Sequence, residues 1–176
     1  VVDFSGSSNS TENYLYLDNV SNLDYDSVFT ASAAANTTDY LFVASSGTLD
    51  LTRLHLNGSW NQLQFNGSST IVEVDQASLS SFTSIGGGGG SANYLSTAAS
   101  TLDLAGKSVN GSVGIASTNV AGTTFTVNNA TTGLNVVGGV GNDTLIASGF
   151  AFTAGQRTAI FAQGSVETIT DTSGTY

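Results

Sequence analysis

Apolar and polar residues alternate along short stretches of this chain. Within residues 70–75, Val72 and Val74 fall on one side of an extended backbone, and Glu73 and Asp75 fall on the other. An alternation with a period of two residues is typical of a β-strand with one buried face. Asn-Gly pairs and glycine clusters interrupt such stretches every eight to twelve residues or so, as turns between short strands do. The pattern therefore predicts an all-β fold.

A longer pattern is an internal repeat of about 53 residues. Several short segments return in the same order at this one offset, which is the sequence signature of a repeat architecture. The matching segments are 39–41 with 93–95, 48–51 with 101–104, and 57–58 with 110–111. We predict a repeat-built β domain over residues 1–150, with units at about 40–92 and 93–146.

Short, evenly spaced strands in a repeating unit favour a β-solenoid, with a β-sandwich as the alternative. In a solenoid each unit would form two to three coils, and equivalent residues of the two units would stack. We expect Leu49, Leu51, Leu102 and Leu104 to stack in the core. We expect side-chain ladders at the corners, formed by Asn57, Asn66, Asn110 and Asn119.

The C-terminal residues 151–176 fall outside the repeat. Thr153 and Gln156 have the spacing of a capping box, which predicts a helix from Thr153 to Ala162. A strand is predicted from Val166 to Thr172. We expect this helix and strand to cap the end of the β domain, where an uncovered sheet edge would invite association.

Composition restricts the partners of the chain. Three basic and thirteen acidic residues give a net charge of −10, which argues against binding nucleic acid or anionic membranes. No apolar run is long enough to insert into a membrane. The chain has no cysteine, so its stability must come from packing and strand pairing. Residues 1–6 do not resemble a signal peptide, and we expect either a removed leader or a segment of a longer polypeptide.

One segment matches a motif with a known chemistry. Residues 138–146 fit the nonapeptide pattern G-G-x-G-x-D-x-U-x at every specified position, with Leu145 as its apolar residue. Glycines permit tight turning of the backbone, while carbonyl groups and a carboxylate are the hard oxygen ligands that Ca²⁺ prefers. The candidate cofactor is Ca²⁺, and the candidate metal-site residues are Gly138, Gly139, Gly141, Asn142 and Asp143.

This nonapeptide resembles the repeats-in-toxin (hemolysin-type calcium-binding) family of secreted bacterial proteins. The resemblance implies a right-handed parallel β-helix or β-roll, Ca²⁺-assisted folding and an extracellular or cell-surface location. Residues 152–161 and 173–176 also resemble stretches of giant calcium-binding surface proteins of that kind. Sites in the family are built between successive nonapeptides, whereas the nine residues on either side of this copy contain no acidic residue. Asp143 is then the one carboxylate of the motif.

Other acidic residues are weaker candidates. Asp50 and Asp103 are equivalent in the repeat, and outward, solvated strand positions account for them better than a ladder of ligands. Glu73 and Asp75 have the i, i+2 spacing of a carboxylate pair for glycoside chemistry. No further acidic residues cluster around them in the sequence, which favours a solvated face.

The single histidine gives little support to an enzyme. His55 lies between Arg53 and Trp60, and the three side chains could grip a sugar or form an ordinary surface trio; the trio is the simpler interpretation. Metal-hydrolase and nucleophilic mechanisms lack a second histidine or a cysteine. We therefore expect no enzyme activity.

These observations favour a structural or adhesive module of a secreted or cell-surface bacterial repeat protein, stabilised by Ca²⁺. One alternative is a self-assembling subunit of an extracellular filament or surface layer, and another is a fragment of a carbohydrate-active β-helix enzyme. The expected partners are further copies or neighbouring repeats of the same polypeptide, together with polysaccharide.

Overall fold

The structure is a computed structural model that describes residues 2–3, 12–19, 23, 26–32, 37–58, 60–87, 92–110, 113–163 and 165–176. These residues form a mainly β structure with three short helices, as the alternation predicts. The strands in chain order are β1 (Val2–Asp3), β2 (Glu12–Leu17), β3 (Val28–Thr30), β4 (Thr38–Val43), β5 (Gly47–Asp50), β6 (His55–Asn57), β7 (Gln62–Phe65), β8 (Thr70–Glu73), β9 (Ser84–Gly87), β10 (Asn93–Thr97), β11 (Thr101–Asp103), β12 (Ser108–Asn110), β13 (Val113–Ser117), β14 (Thr124–Val127), β15 (Val136–Gly139), β16 (Thr144–Ala147), β17 (Thr168–Asp171) and β18 (Gly174–Thr175). The helices are α1 (Gln76–Ser80), α2 (Ala130–Leu134) and α3 (Ala154–Ala162).

The strands form four sheets. Sheet A has the order β1-β3-β6, and sheet B has the order β2-β4-β7-β9-β12. Sheet C has the order β5-β8-β10-β13-β15, and sheet D has the order β11-β14-β16-β17-β18. Neighbouring strands are parallel in every described pair except β17 and β18, which are antiparallel.

Consecutive strands lie in different sheets, so the chain circulates. Between β4 and β14 it passes through sheet B, then sheet C, then sheet A or D, and returns to sheet B. We call each such round a circuit. Paired residues are one circuit apart: Asn93 lies beside Val113, 20 residues later, and Val28 lies beside His55, 27 residues later.

Inward apolar side chains of successive strands stand in register and form three columns. In sheets B, C and D these columns are Leu15-Leu41-Leu63-Ile85-Val109, Leu49-Val72-Leu95-Ile115-Val136 and Leu102-Phe125-Leu145-Ile169. All of these side chains except Leu15 are buried, and Leu15 packs against the same core. Burying one such side chain stabilises the fold by roughly 1.5–3 kcal/mol, so the columns are its main support.

Helix α1 interrupts the third face of this structure. Strand β6 ends sheet A and β11 begins sheet D, and α1 occupies the intervening circuit and contacts β11. The Gln76 side chain takes the place of a strand at the edge of sheet D. Its Oε1 accepts a hydrogen bond from the Asp103 N–H at 2.8 Å, and its Nε2 donates to the Asp103 carbonyl at 3.4 Å.

The 53-residue matches do not stack on each other. Residues 48–50 belong to β5 in sheet C, whereas residues 101–103 belong to β11 in sheet D. Leu49 and Leu102 are both buried as predicted, but Leu49 lies beside Val72 and Leu102 beside Phe125. The stacking prediction is wrong because an offset of 53 residues is two circuits plus one further face. What recurs in the sequence is a strand with its corner, carried on to the next sheet.

The C-terminal predictions are confirmed. Helix α3 begins after Thr153, whose Oγ1 accepts a hydrogen bond from the Gln156 N–H at 3.2 Å, while Gln156 Oε1 accepts from the Thr153 N–H at 2.9 Å. Strand β17 follows and extends sheet D, and β18 turns back along it. Over the residues that the structure describes, no helix has the length and hydrophobicity that crossing a membrane requires.

Candidate functional site

Polar side chains connect successive circuits at the points where strands begin. Asn61 Oδ1 accepts a hydrogen bond from the Asp39 N–H at 2.7 Å, and Asn93 Oδ1 accepts from the Thr70 N–H at 3.0 Å. Each bond runs from a side chain to the backbone of the circuit before it. Because backbone N–H groups in a buried corner need a partner, these amides satisfy them.

Asp143 of the nonapeptide belongs to the same series. Its Oδ1 accepts a hydrogen bond from the Thr123 N–H at 2.7 Å, 20 residues earlier. In the next circuit Glu167 Oε2 accepts from the Asp143 N–H at 2.6 Å. We call Asn61, Asn93, Asp143 and Glu167 the corner ladder. Sequence reasoning expected such ladders at Asn57, Asn66, Asn110 and Asn119, and this prediction is wrong, since Asn57, Asn66 and Asn110 are exposed and Asn119 bonds within its own turn.

The glycines of the nonapeptide are required by close backbone packing. A Cβ atom at Gly139 would lie 1.9 Å from the Ser117 carbonyl oxygen, which is far inside any allowed contact. Gly141 has a φ of +92°, and a Cβ atom there would lie 2.3 Å from the Gly122 nitrogen. The glycine spacing that suggested a cation loop therefore also has a purely structural cause at these two positions.

The Asp143 carboxylate is buried with one oxygen unsatisfied. Its side chain belongs to a residue with 0% exposure, and Oδ2 has no hydrogen-bond partner among the described residues. Burial raises the pKa of Asp143, the Thr123 N–H opposes that rise, and the negative charge of Glu167 adds to it. A buried, unsatisfied carboxylate oxygen is a place where a cation would be stabilised.

The surroundings of Asp143 supply few further acidic ligands. In the part of the chain that the structure describes, no group of three or more His, Cys, Asp or Glu residues is placed to hold a metal ion. Gly138 is buried, whereas Gly139, Gly141 and Asn142 are exposed, so the five predicted residues span the surface and the interior of one corner. A cation there would depend on Asp143 and on backbone carbonyl oxygens of the loop.

Two other acidic residues cap turns. Asp50 Oδ1 accepts from the Thr52 N–H at 3.0 Å, and Asp103 Oδ1 accepts from the Ala105 N–H at 2.8 Å. Asp103 is exposed and Asp50 is half-buried, so the expected outward positions are correct, and the shared two-residue cap was not predicted.

The remaining sequence candidates do not form one site. Strand β8 ends at Glu73, and Asp75 is the N-cap of α1, where its Oδ1 accepts from the Ser78 N–H at 2.8 Å. The two carboxylates are therefore not neighbours on one strand. His55 is exposed, whereas Trp60 is buried in the core, so the predicted surface trio with Trp60 is wrong.

Four aromatic side chains form a cluster on the outer face of sheet B. Tyr14 stacks on Tyr40 with ring centroids 5.0 Å apart, and Tyr16 stacks on Phe42 at 4.7 Å. The Tyr14 hydroxyl donates to a Glu12 carboxylate oxygen, and this bond raises the pKa of Tyr14 to about 12. Because the rings stack along the sheet, the cluster stiffens two neighbouring strands.

Comparison with known proteins adds no assignment: no protein-family model, curated protein sequence or solved structure matches this chain.

Proposed function

We propose that this chain is a parallel β-solenoid that acts as a structural or adhesive module of a secreted or cell-surface protein. The observation that carries the proposal is the set of parallel ladders one circuit apart, with inward apolar columns in register. Repeat folds of this kind build extended, rigid bodies from neighbour contacts alone. The sheets of a β-sandwich are antiparallel, so the parallel pairing favours the solenoid over that alternative.

The extracellular location is part of this proposal. It is supported by the net charge of −10, by the absence of cysteine and by the resemblance of residues 138–146 to secreted calcium-binding repeats. Treating intact cells of the source organism with a protease tests it. Loss of the protein from intact cells supports exposure at the surface, and full protection while a surface control is degraded would contradict it.

The C-terminal residues favour a module over a filament subunit. Strand β18 pairs antiparallel to β17 and lies along the last edge of sheet D, so it blocks that edge against the addition of another parallel strand. We expect single particles in electron micrographs and a monomer in sedimentation. Regular fibres formed by the purified chain would support the filament alternative instead.

A structural Ca²⁺ ion is the second candidate, supported by the buried and unsatisfied Oδ2 of Asp143. Asp143, with carbonyl oxygens of residues 138–142, would hold the ion. When bound, Ca²⁺ would neutralise the carboxylate and tie two circuits together. We expect millimolar Ca²⁺ to raise the melting temperature, since a ligand that binds only the folded state stabilises it.

Asp143→Asn separates the two roles of this residue. The amide oxygen can still accept from the Thr123 N–H, but the charge that attracts the ion is gone. We expect the variant to lose the response to Ca²⁺ while remaining folded. An unchanged melting temperature of the parent chain with Ca²⁺ would leave Asp143 with its role in the corner ladder alone.

We propose no catalytic function. The two carboxylates that could have formed a glycosidase pair, Glu73 and Asp75, sit in different local structures, and Asp75 is engaged in capping α1. Incubation with uronate polymers tests this point. Any cleavage that copurifies with the chain and disappears in Glu73→Gln would reinstate the enzyme alternative.

A further inference from the structure

A cleft of about 230 Å³ lies on the outer side of sheet C beside the end of α3. Its walls come from β10, β13, the end of α2, β15 and the residue that follows α3. The lining residues include Tyr94, Gly114, Asn135, Val137 and Gln163.

An aromatic ring forms one wall of the cleft. Tyr94 leans over Gly114, which is its partner on the neighbouring strand. A Cβ atom at residue 114 would lie only 2.6 Å from ring atoms Cδ1 and Cε1, so glycine is what lets the ring settle there. One side of the ring is thus held against the sheet, and the ring is half-buried.

An amide in the same cleft lacks a partner. Asn135 Nδ2 is buried and has no hydrogen-bond partner among the described residues. A buried donor without an acceptor is destabilising, typically by 1–3 kcal/mol or so, and native proteins rarely retain one without a reason. A ligand that brings an acceptor oxygen would remove this penalty.

A second amide lies opposite with one end available. Gln163 Nε2 donates to the Leu134 carbonyl at 2.9 Å, which fixes the side chain and leaves its Oε1 as an acceptor. The other polar side chain in the lining, Asn93, is already engaged at both ends by Thr70 N–H and Gly67 carbonyl. The cleft therefore offers one donor, one acceptor and one aromatic face.

We propose that this cleft binds one unit of a neutral saccharide. A sugar ring presents an apolar face that packs on an aromatic ring, and each of its hydroxyl groups both accepts and donates a hydrogen bond. None of the described lining residues is charged, and the whole chain carries a net charge of −10, so a neutral glycan fits better than an anionic one. The inference goes beyond the scaffold role and does not depend on Ca²⁺.

Titration of the ¹⁵N-labelled chain with cellotetraose and with maltotetraose tests the proposal. We expect the side-chain resonances of Asn135 and the ring resonances of Tyr94 to shift with at least one of the two, at millimolar concentration. Tetragalacturonate is the charged comparison, and we expect it to bind at least tenfold more weakly.

Three variants assign the effect to the cleft. Tyr94→Ala should weaken binding at least tenfold, and Tyr14→Ala, which removes an exposed tyrosine from another face, should leave it unchanged. Asn135→Ala should weaken binding without lowering the melting temperature, because the deleted amide has no partner in the unbound chain. No shift with either neutral tetrasaccharide, stronger binding of the uronate, or undiminished binding by both Tyr94→Ala and Asn135→Ala would overturn the proposal.

Discussion

At the scale of single residues, one short pattern accounts for the corners of this fold. An Asn or Asp stands two positions before an inward leucine at residues 13, 39, 61, 93 and 143. The leucine enters an apolar column, and the polar residue turns to the neighbouring circuit. Asn13 Nδ2, for example, donates to Asp39 Oδ1 at 2.6 Å.

Asn93 provides a test of the corner ladder. Asn93→Ala removes the partners of the Thr70 N–H and of the Gly67 carbonyl in a site where Asn93 itself is 2% exposed. We expect the free energy of unfolding to fall by about 2 kcal/mol, since buried polar groups lose their bonds. Urea denaturation followed by circular dichroism measures this change.

The matched control is Asn110→Ala. Asn110 is exposed and donates only to Ser108 Oγ, so we expect a change within about 0.5 kcal/mol. Equal losses in the two variants would mean that the ladder contributes nothing beyond an ordinary surface amide.

Gly139 tests the structural role of the nonapeptide. Gly139→Ala would place a methyl group 1.9 Å from the Ser117 carbonyl oxygen, and backbone atoms of two circuits would have to separate. We expect a loss of roughly 2 kcal/mol or more in the free energy of unfolding, at the upper end of overpacking effects. The control is Gly106→Ala, because no atom lies within 4 Å of a Cβ placed there. If Gly139→Ala proves as harmless as Gly106→Ala, the close packing at this corner is not needed for stability.

At the scale of elements, the C-terminal cap is held by a buried ion pair. Arg157 of α3 donates to Asp171 Oδ2 of β17 at 3.0 Å, and the Asp171 side chain has no exposed surface. Asp171 also accepts from the Phe152 N–H at 3.0 Å and from the Ser173 N–H at 2.8 Å. These contacts, led by the Ser173 hydroxyl, lower the pKa of Asp171 to about 2.

This lowered pKa predicts an acid-sensitive cap. In an unfolded chain an aspartate titrates near pH 3.9 or so, above its pKa in the folded chain. The contribution of Asp171 to stability is therefore complete above about pH 4 and is lost as the pH falls toward about 2. We expect the melting temperature of the parent chain to fall more steeply between these values than that of Asp171→Asn. Parallel slopes would show that this carboxylate does not link the cap to pH.

Some elements could be predicted from the sequence and others could not. Helix α3 was predictable because its capping box is local, whereas α1 and α2 are five-residue helices without an apolar stripe of their own. Strand β8 was predictable from alternation, but its end was not: Asp75 reads as the next outward strand position until Ser78 is seen to complete a cap.

At the scale of the whole molecule, the order of strands around the three faces could not be predicted. The 53-residue repeat indicated that strands recur, but it did not give the length of a circuit, because equivalent segments fall on different sheets. The Asn/Asp-x-Leu pattern carries the missing signal: its copies at 39 and 61 are 22 residues apart and lie in adjacent strands of sheet B. The partner of an unsatisfied amide such as Asn135 becomes visible only once α2 and β15 are placed.

Removing the cap should change the state of association. A chain that ends at residue 150 lacks β17 and β18, so the outer edge of β16 and the apolar residues beneath α3 become exposed. We expect the truncated chain to form concentration-dependent oligomers in sedimentation, while the parent chain stays monomeric. A truncated chain that is folded by circular dichroism and remains monomeric would contradict a protective role for the cap.

The replacement of a strand by α1 has a mechanical consequence. A pulling force along the stack is resisted at most levels by hydrogen-bonded strands on three faces. Between β6 and β11 only sheets B and C continue, and on the third face the Gln76 side chain makes the contact with Asp103. Under tension this level should rupture first, so a tethered module would extend in two steps, with the seven-strand neighbourhood of sheets C and D beyond α1 the last to yield.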